Sequence, residues 1–200
     1  MSEIKLLGFK IPLTVPNILS LYRLFIFPVI ALMIILKQEM AFAVLLVISL
    51  NTDVWDGWIA RRFKQQTSIG ARLDSLADIG MYITALGGII VFKLDEIGMD
   101  AWLFYVFVVC YVIVIISPLI KFGKIQSFHL YSMKAAGYLQ GFFFIILFFI
   151  GYKPIFFYFM VNMSLMAFIE NLVIQLLISE LRSDVKGIFW VLKDLRNGDG

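Results

Sequence analysis

Residues 53–78 read D-V-W-D-G-W-I-A-R-R-F-K-Q-Q-T-S-I-G-A-R-L-D-S-L-A-D, and this stretch decides how the chain is interpreted. It holds four aspartates, Asp53, Asp56, Asp74 and Asp78. The sequence on either side is strongly apolar, and 62% of the whole chain is hydrophobic. An unpaired charge in apolar surroundings is costly, so four carboxylates here indicate a site that compensates their charge.

The surrounding sequence predicts an all-α integral membrane protein. A mean hydropathy of +0.94 over 200 residues excludes an ordinary soluble domain. Six apolar segments of ~20 residues each match the ~30 Å hydrocarbon core of a bilayer. We predict transmembrane helices at 16–36, 41–63, 70–92, 101–120, 129–151 and 155–178. With one cysteine and one histidine, the chain cannot form an internal disulfide or a His-rich zinc site.

We predict that the chain forms one domain. Its parts are an interfacial segment (1–14), a six-helix core (15–179) and a basic cytoplasmic tail (180–200). Ile4, Leu7 and Ile11 predict a short interfacial helix near the N-terminus. Thr14 is predicted to cap the first membrane helix. Arg23 lies inside that helix, so it either extends to the interface or pairs with an acid or a phosphate.

The basic residues predict the orientation in the membrane. Six spans place both termini on the same side. Of the 17 lysines and arginines, twelve fall on that side, three fall on the other, and Arg23 and Lys134 fall within spans. This asymmetry predicts cytoplasmic termini in the cytoplasmic (inner) membrane, with the aspartate site facing the cytoplasm. The net charge of +3 therefore reflects topology, and we expect no nucleic-acid partner.

Helical geometry groups the first two aspartates with small residues. At about 100° per residue, Asp53, Asp56, Gly57 and Ala60 fall within one stripe about 100° wide. Arg61 lies at the edge of this stripe. The small residues leave room for a bulky ligand beside the carboxylates, and Arg61 could bind a phosphate through two hydrogen bonds.

The last two aspartates have the same arrangement on the next helix. Asp74 and Asp78 are four residues apart and share a face, with Gly70 and Ala77 beside them. Two neighbouring helices can therefore direct four carboxylates toward one another. We also considered that the acids only pair with nearby arginines at the interface, but that would not explain the small residues in register with them.

Four carboxylates in one pocket cannot all stay ionised without compensation, because like charges and burial both raise their pKa values. Either several are protonated or divalent cations neutralise them. Oxygen ligands without nitrogen or sulfur suit Mg²⁺ or Mn²⁺, and two ions would balance four carboxylates. Two-metal sites of this kind serve phosphoryl transfer.

The stretch also resembles the signature of a known family. It matches D-x2-D-G-x2-A-R-x8-G-x3-D-x3-D at every fixed position: Asp53, Asp56, Gly57, Ala60, Arg61, Gly70, Asp74 and Asp78. This pattern is similar to that of the CDP-alcohol phosphatidyltransferases. The six-span layout resembles the same family, and residues 16–23 (P-N-I-L-S-L-Y-R) resemble the first span of its phosphatidylglycerophosphate synthase-like members.

The resemblance implies an enzyme of phospholipid biosynthesis. The donor would be CDP-diacylglycerol, the acceptor a small polar alcohol, and the released product CMP. Asp53, Asp56, Asp74 and Asp78 would hold the two metal ions, and Asp78 would be the catalytic base. The residues expected to contact the CDP-lipid are Pro16, Asn17, Gly57, Ala60, Arg61, Thr67 and Gly70. The resemblance also implies a homodimer. From the residues alone, Asp74 remains an alternative base.

A second polar cluster predicts the acceptor site. Lys121, Lys124, His129 and Lys134 precede or enter the fifth span from the cytoplasm. We hypothesise that they bind a phosphorylated acceptor, with glycerol 3-phosphate as the first choice and inositol phosphate as the second. The alternative is that the lysines only anchor the spans at the interface.

Two other classes of membrane protein also use acidic helices. A prenyltransferase binds diphosphates through aspartates and Mg²⁺, but its acidic motifs would lie far apart in the chain. A divalent-cation transporter would carry acids near the midplane of several helices. Here the acids lie within one short stretch, which favours the phosphatidyltransferase.

Overall fold

The computed structural model describes residues 3–6, 9–12, 14–63, 68–123, 130–178 and 185–197. Within these ranges side chains are described except at 3–6, 9–12, 53–54, 56–58, 60–61, 68–69, 71–72, 75 and 197. Eight α-helices lie in the described part: α1 Val15–Ile35, α2 Glu39–Arg62, α3 Ser68–Gly88, α4 Leu94–Ile97, α5 Ala101–Phe122, α6 Tyr131–Phe149, α7 Pro154–Leu177 and α8 Ile188–Asn197. The chain divides into two compact units, Met1–Asp95 and Glu96–Gly200, with the boundary inside α4.

The N-terminal segment is a hairpin, and the expectation of an interfacial helix there is wrong. Strands β1 (Glu3–Leu6) and β2 (Phe9–Pro12) pair antiparallel, with Ile4 opposite Ile11. In both segments apolar and other residues alternate, E-I-K-L and F-K-I-P, which is the period of a strand. Proline at the end of the second segment also disfavours a continuous helix.

In the first unit, α1 packs against both α2 and α3. The start of α1 is as predicted, since the Thr14 side chain accepts a hydrogen bond from the Asn17 N–H and Pro16 occupies the first turn. Gly88, at the end of α3, allows a close approach, because a Cβ there would lie 2.1 Å from the Phe42 ring. Lys93, five residues beyond the end of α3, forms an ion pair at 2.8 Å with Glu39, the first residue of α2.

A polar turn separates α3 from α5. It consists of a π-helical segment (Ile89–Lys93), α4 and a 3-10 turn (Gly98–Asp100). Gly98 has a φ of +58°, which glycine adopts without strain. The apolar run Leu76–Phe122 is 47 residues long, about 70 Å if helical throughout, so it exceeds one membrane crossing. The turn predicted at residues 95–100 divides this run.

In the second unit, α7 packs against α5, α6 and α8. Gln140 of α6 donates a hydrogen bond to the Ser164 hydroxyl of α7 at 2.9 Å, a polar contact of the kind that joins membrane helices. A buried cluster lies where α8 meets the rest of the unit. It comprises Leu130, Ile174, Ile178, Val185 and Val191.

Four helical stretches in the described part are long and apolar enough to cross a membrane. They are Val15–Ile35, Leu76–Phe122, Tyr131–Phe149 and Pro154–Leu177, and a shorter apolar helix covers Glu39–Thr52. The chain is therefore a predominantly helical, multi-pass membrane protein, whereas the count of six spans stays a prediction.

Candidate active site

A stripe of buried polar side chains runs from the N-cap of α1 to its third turn. Thr14, Asn17, Ser20 and Arg23 recur at every third position, and each is at most 4% exposed. The side chains between them are mostly apolar. A guanidinium buried this deeply requires anionic or polar partners, because leaving it without them would be very costly.

The partners of Arg23 are the last two aspartates of the signature. Its Nη1 donates to Oδ1 of Asp78 at 2.7 Å, and its Nη2 donates to Oδ1 of Asp74. The two carboxylates therefore share one face of α3, as their spacing of four residues predicts. Of the two alternatives for Arg23, pairing with acids is confirmed.

The two sides of this contact differ in their access to solvent. Arg23 is 1% exposed, whereas the side chains of Asp74 and Asp78 are 42% and 52% exposed. The acids thus face a fixed cation on the inside, and about half of each side chain is accessible to solvent. Oxygen donors that converge on one cation and retain access to solvent fit Mg²⁺ or Mn²⁺.

The other signature residues are placed by their backbone alone. Asp53, Asp56, Gly57, Ala60 and Arg61 lie in the last three turns of α2, and their side chains are outside the described residues. Thr67 also lies outside them. Gly70 is buried in the first turn of α3. Ala77, which stands between Asp74 and Asp78 in the sequence, is fully buried. Among the described side chains no three His, Cys, Asp or Glu residues form a group.

The predicted acceptor residues lie in the second unit. Lys121 donates to the backbone oxygens of Gln175 at 2.5 Å and Ile178 at 3.1 Å, so it satisfies terminal carbonyls of α7. This contact favours the anchoring alternative for Lys121. Lys134 is exposed in the first turn of α6. Lys124 and His129 lie outside the described residues.

Comparison with known proteins identifies the family of this site. The family model "CDP-alcohol phosphatidyltransferase" matches residues 13–174, which include α1, the whole aspartate stretch and most of α7. This chain belongs to the CDP-alcohol phosphatidyltransferase family. The resemblance noted from the signature is thereby confirmed over most of the chain.

Several curated relatives of this chain carry one name, CDP-diacylglycerol–glycerol-3-phosphate 3-phosphatidyltransferase. That of Cereibacter sphaeroides is 34% identical over 94 residues, 45% of this chain and 41% of the relative. That of Yersinia pestis is 39% identical over 77 residues, 37% of this chain and 42% of the relative. The matched part of this chain thus spans about two fifths of these relatives. No solved structure matches it significantly.

Two residues at the candidate site were not among the predicted site residues. Arg23 meets both acids of α3, and Ser20 lies one turn before it on the buried stripe of α1. The signal in the sequence is the three-residue spacing of polar side chains in an otherwise apolar helix. Such a stripe must face other parts of the protein, since hydrocarbon cannot satisfy it.

Proposed function

We propose that this chain transfers the phosphatidyl group of CDP-diacylglycerol to the hydroxyl of glycerol 3-phosphate and releases CMP. Family membership over residues 13–174 supports the reaction class, and the names of the curated relatives support these substrates. The observation that carries the proposal is the convergence of Asp74 and Asp78 on one buried cation. It shows that the acids at the end of the signature meet at one place.

The same acids would hold divalent metal. Asp53, Asp56, Asp74 and Asp78 are the proposed ligands of two ions, Mg²⁺ or Mn²⁺. Bound there, the metals would neutralise the diphosphate and polarise the oxygen atoms around the reacting phosphorus. Arg23 would keep the two carboxylates of α3 in fixed positions, because its fork reaches one oxygen of each.

The proposed chemistry is a single displacement at phosphorus. A carboxylate oxygen of Asp78 accepts the proton of the acceptor hydroxyl, and the acceptor oxygen forms a bond to the lipid-side phosphorus. The bond from that phosphorus to the bridging oxygen breaks, and CMP leaves with the electron pair. Asp74 stays the alternative base, since both carboxylates are accessible to solvent.

The CDP-lipid would lie along α1, α2 and α3. Its proposed contacts are Pro16, Asn17, Gly57, Ala60, Arg61, Thr67 and Gly70. Asn17 and Gly70 support this placement, because both are buried within the first unit rather than on its periphery. A buried asparagine supplies hydrogen bonds, and a buried glycine lets a ligand approach the backbone.

The acceptor would be held by Lys124, His129 and Lys134. Lys134 supports this assignment, since an exposed ammonium at the start of α6 is available to a phosphate. Lys121 remains a candidate, but its contacts with α7 already explain it. Inositol phosphate is the second proposed acceptor, because nothing in the chain separates the two by chemistry.

The membrane arrangement completes the proposal. We propose one domain with six spans, cytoplasmic termini and an active site that faces the cytoplasm from the inner membrane. We also propose a homodimer. A Cβ at Gly137 or Gly141 of α6 would have no described neighbour within 4 Å, so this G-x-x-x-G face is open to a second helix.

A panel assay tests the function. Purified protein in lipid is given CDP-diacylglycerol labelled in the cytidine, with glycerol 3-phosphate, inositol phosphate, serine or inositol in parallel, with and without Mn²⁺. We expect CMP release that depends on both Mn²⁺ and glycerol 3-phosphate. Absence of CMP release with every acceptor would contradict the proposed reaction. Mn²⁺ flux into vesicles without CMP release would instead support a transporter.

A further inference from the structure

The C-terminal helix α8 is attached to the second unit at its beginning. The Ile188 N–H donates to Oε1 of Glu170 at 2.8 Å, and the Tyr131 N–H donates to the Lys186 oxygen at 3.1 Å. A carboxylate at a helix N-terminus satisfies a free N–H and interacts favourably with the helix dipole. Glu170, a glutamate within an apolar helix, thus fixes where α8 starts.

This attachment places the beginning of α8 beside Glu170, at a level along the α7 axis that comes before the C-terminal end of α7. Glu170 lies seven residues before Leu177, a rise of about 10 Å. The 24 residues of α7 extend about 36 Å, so each end projects about 3 Å beyond a ~30 Å hydrocarbon core when the helix is centred. The start of α8 then lies about 7 Å inside the edge of the core. Interfacial helices bury their apolar face to a depth of about 5–10 Å.

One side of α8 is covered by the protein. Val191 is 4% exposed in the buried cluster with Ile174 and Leu130, and the Trp190 ring lies 5.9 Å from that of Tyr131. These contacts define the inner side of the helix. They leave a second side that no described residue of the unit covers.

The second side combines apolar and basic residues. We name it the outer face of α8, and it consists of Phe189, Leu192, Lys193 and Arg196. At about 100° per residue these four fall within an arc of about 100°. Phe189 is 69% exposed and Leu192 is 51% exposed. Asp194, the acidic residue of α8, lies about 150° from the centre of this arc.

We propose that the outer face of α8 lies at the boundary between the headgroups and the acyl chains of an anionic phospholipid bilayer. Phe189 and Leu192 would enter the boundary of the acyl chains, while Lys193 and Arg196 would extend to lipid phosphates. Two observations select this partner. Glu170 holds the start of α8 on the membrane-spanning helix α7, and the charges of the outer face, Lys193 and Arg196, are both positive.

Depth measurement with a single label tests this proposal. Cys110 is the only cysteine, so Cys110→Ser gives a background for Leu192→Cys or Asp194→Cys in the full chain. Each cysteine carries a polarity-sensitive fluorophore, and the protein is placed in vesicles of phosphatidylcholine with or without an equal part of phosphatidylglycerol. Nitroxide lipids and aqueous iodide then quench the fluorophore in separate experiments.

We expect the label at 192 to be quenched several-fold more by nitroxide lipid than the label at 194, which iodide should reach. Lys193→Gln with Arg196→Gln should shift the equilibrium between lipid-buried and water-exposed α8 toward water roughly 30-fold in the phosphatidylglycerol vesicles, at about fivefold per basic residue, so that iodide quenches the label at 192 more strongly. Equal access of iodide to both positions overturns the proposal. So does protection of position 192 that disappears on dilution with empty lipid, since a second copy would then cover the face.

Discussion

The Nη1 atom of Arg23 lies 2.7 Å from Oδ1 of Asp78, although 55 residues separate them in the chain. This contact joins α1 to α3 through a buried cation. Because Nη2 of the same guanidinium reaches Asp74, one residue of α1 fixes both acids of the proposed reaction site. In the proposed function, the first membrane helix therefore positions two of the metal-binding acids as well as spanning the membrane.

Replacement of Arg23 by alanine should weaken both fold and function. It removes the cation that the two carboxylates share, and loss of one member of a buried charge pair costs about 3–5 kcal/mol. We expect the lower end of that range, since Asp74 and Asp78 are about half exposed. The apparent Tm in detergent and the rate of CMP release should both fall.

Arg23→Lys is the matched control for this variant. An ammonium keeps the charge but cannot reach two carboxylates through a planar fork, so its Tm should lie between those of wild type and Arg23→Ala. Mn²⁺ should raise the Tm of Arg23→Ala more than that of wild type, because it would replace the missing cation. Wild-type Tm and turnover in Arg23→Ala would show that the contact has no role.

Asp78→Asn should abolish CMP release while binding of the CDP-lipid largely survives. The amide keeps the size of the carboxylate but cannot accept the acceptor proton. Asp74→Asn should instead raise the Mn²⁺ concentration needed for half-maximal CMP release, which a titration of the metal measures. If Asp78→Asn turns over nearly as fast as wild type and Asp74→Asn does not, the base is Asp74.

The extents of the membrane helices could be predicted from the sequence. The first predicted span, 16–36, corresponds to Val15–Ile35, and the last, 155–178, corresponds to Pro154–Leu177. Length and hydropathy suffice here because a bilayer imposes both. The N-terminal hairpin was predicted as a helix, because Ile4, Leu7 and Ile11 satisfy a helical spacing while the alternation of E-I-K-L and F-K-I-P satisfies a strand period equally well.

The partners of charged residues within apolar helices could not be predicted from the sequence. Arg23 meets acids in α3, and Glu170 meets the start of α8, through packing between segments far apart in the chain. A pattern within one helix shows that such a residue needs a partner but does not identify it. The faces of Asp74 and Asp78 were predictable because both lie on one helix.

Lys121 and Lys134 should respond differently to replacement by methionine. Lys121 holds terminal carbonyls of α7, so Lys121→Met should lower the apparent Tm and change the two substrate KM values equally. Lys134→Met should leave the Tm unchanged and raise the KM for glycerol 3-phosphate about tenfold, the effect of one charged hydrogen bond. A selective rise of the acceptor KM in Lys121→Met would place Lys121 at the acceptor instead.

The turn before α5 should make stability depend on pH. Tyr152 and Tyr158 donate to Asp100 at 2.5 and 2.6 Å, and these two hydrogen bonds lower the pKa of Asp100. Because the pKa of Asp100 is lower in the folded protein, its ionised carboxylate stabilises the fold at pH values above the unfolded pKa of about 3.9. This stabilisation is lost as the pH falls through the folded pKa. The wild-type Tm should therefore decline below about pH 4.

Tyr152→Phe should flatten this acid decline, because it removes one of the two donors to Asp100. Burial and the hydrogen bond to Asp100 raise the pKa of Tyr152. The protonated Tyr152 hydroxyl therefore stabilises the folded protein fully below the unfolded pKa of about 10, and this stabilisation is lost as the pH rises through the folded pKa. Tyr138→Phe, an exposed position on α6, is the control and should retain the wild-type profile. An identical acid decline in Tyr152→Phe would contradict the assignment.

Glu170 should determine how firmly α8 is attached. Glu170→Leu removes the acceptor of the Ile188 N–H, and loss of such a cap costs about 1–2 kcal/mol. Hydrogen exchange across residues 188–196 should then quicken about fivefold to thirtyfold, with little change in α1. Glu170→Gln keeps an oxygen acceptor without the charge and should give a smaller increase.

Gly187→Ala offers an independent check of this attachment. The added Cβ would lie 3.1 Å from Oε1 of Glu170 and would displace that acceptor, so exchange in α8 should also quicken. Unchanged exchange in Glu170→Leu would show that the buried cluster alone holds the helix.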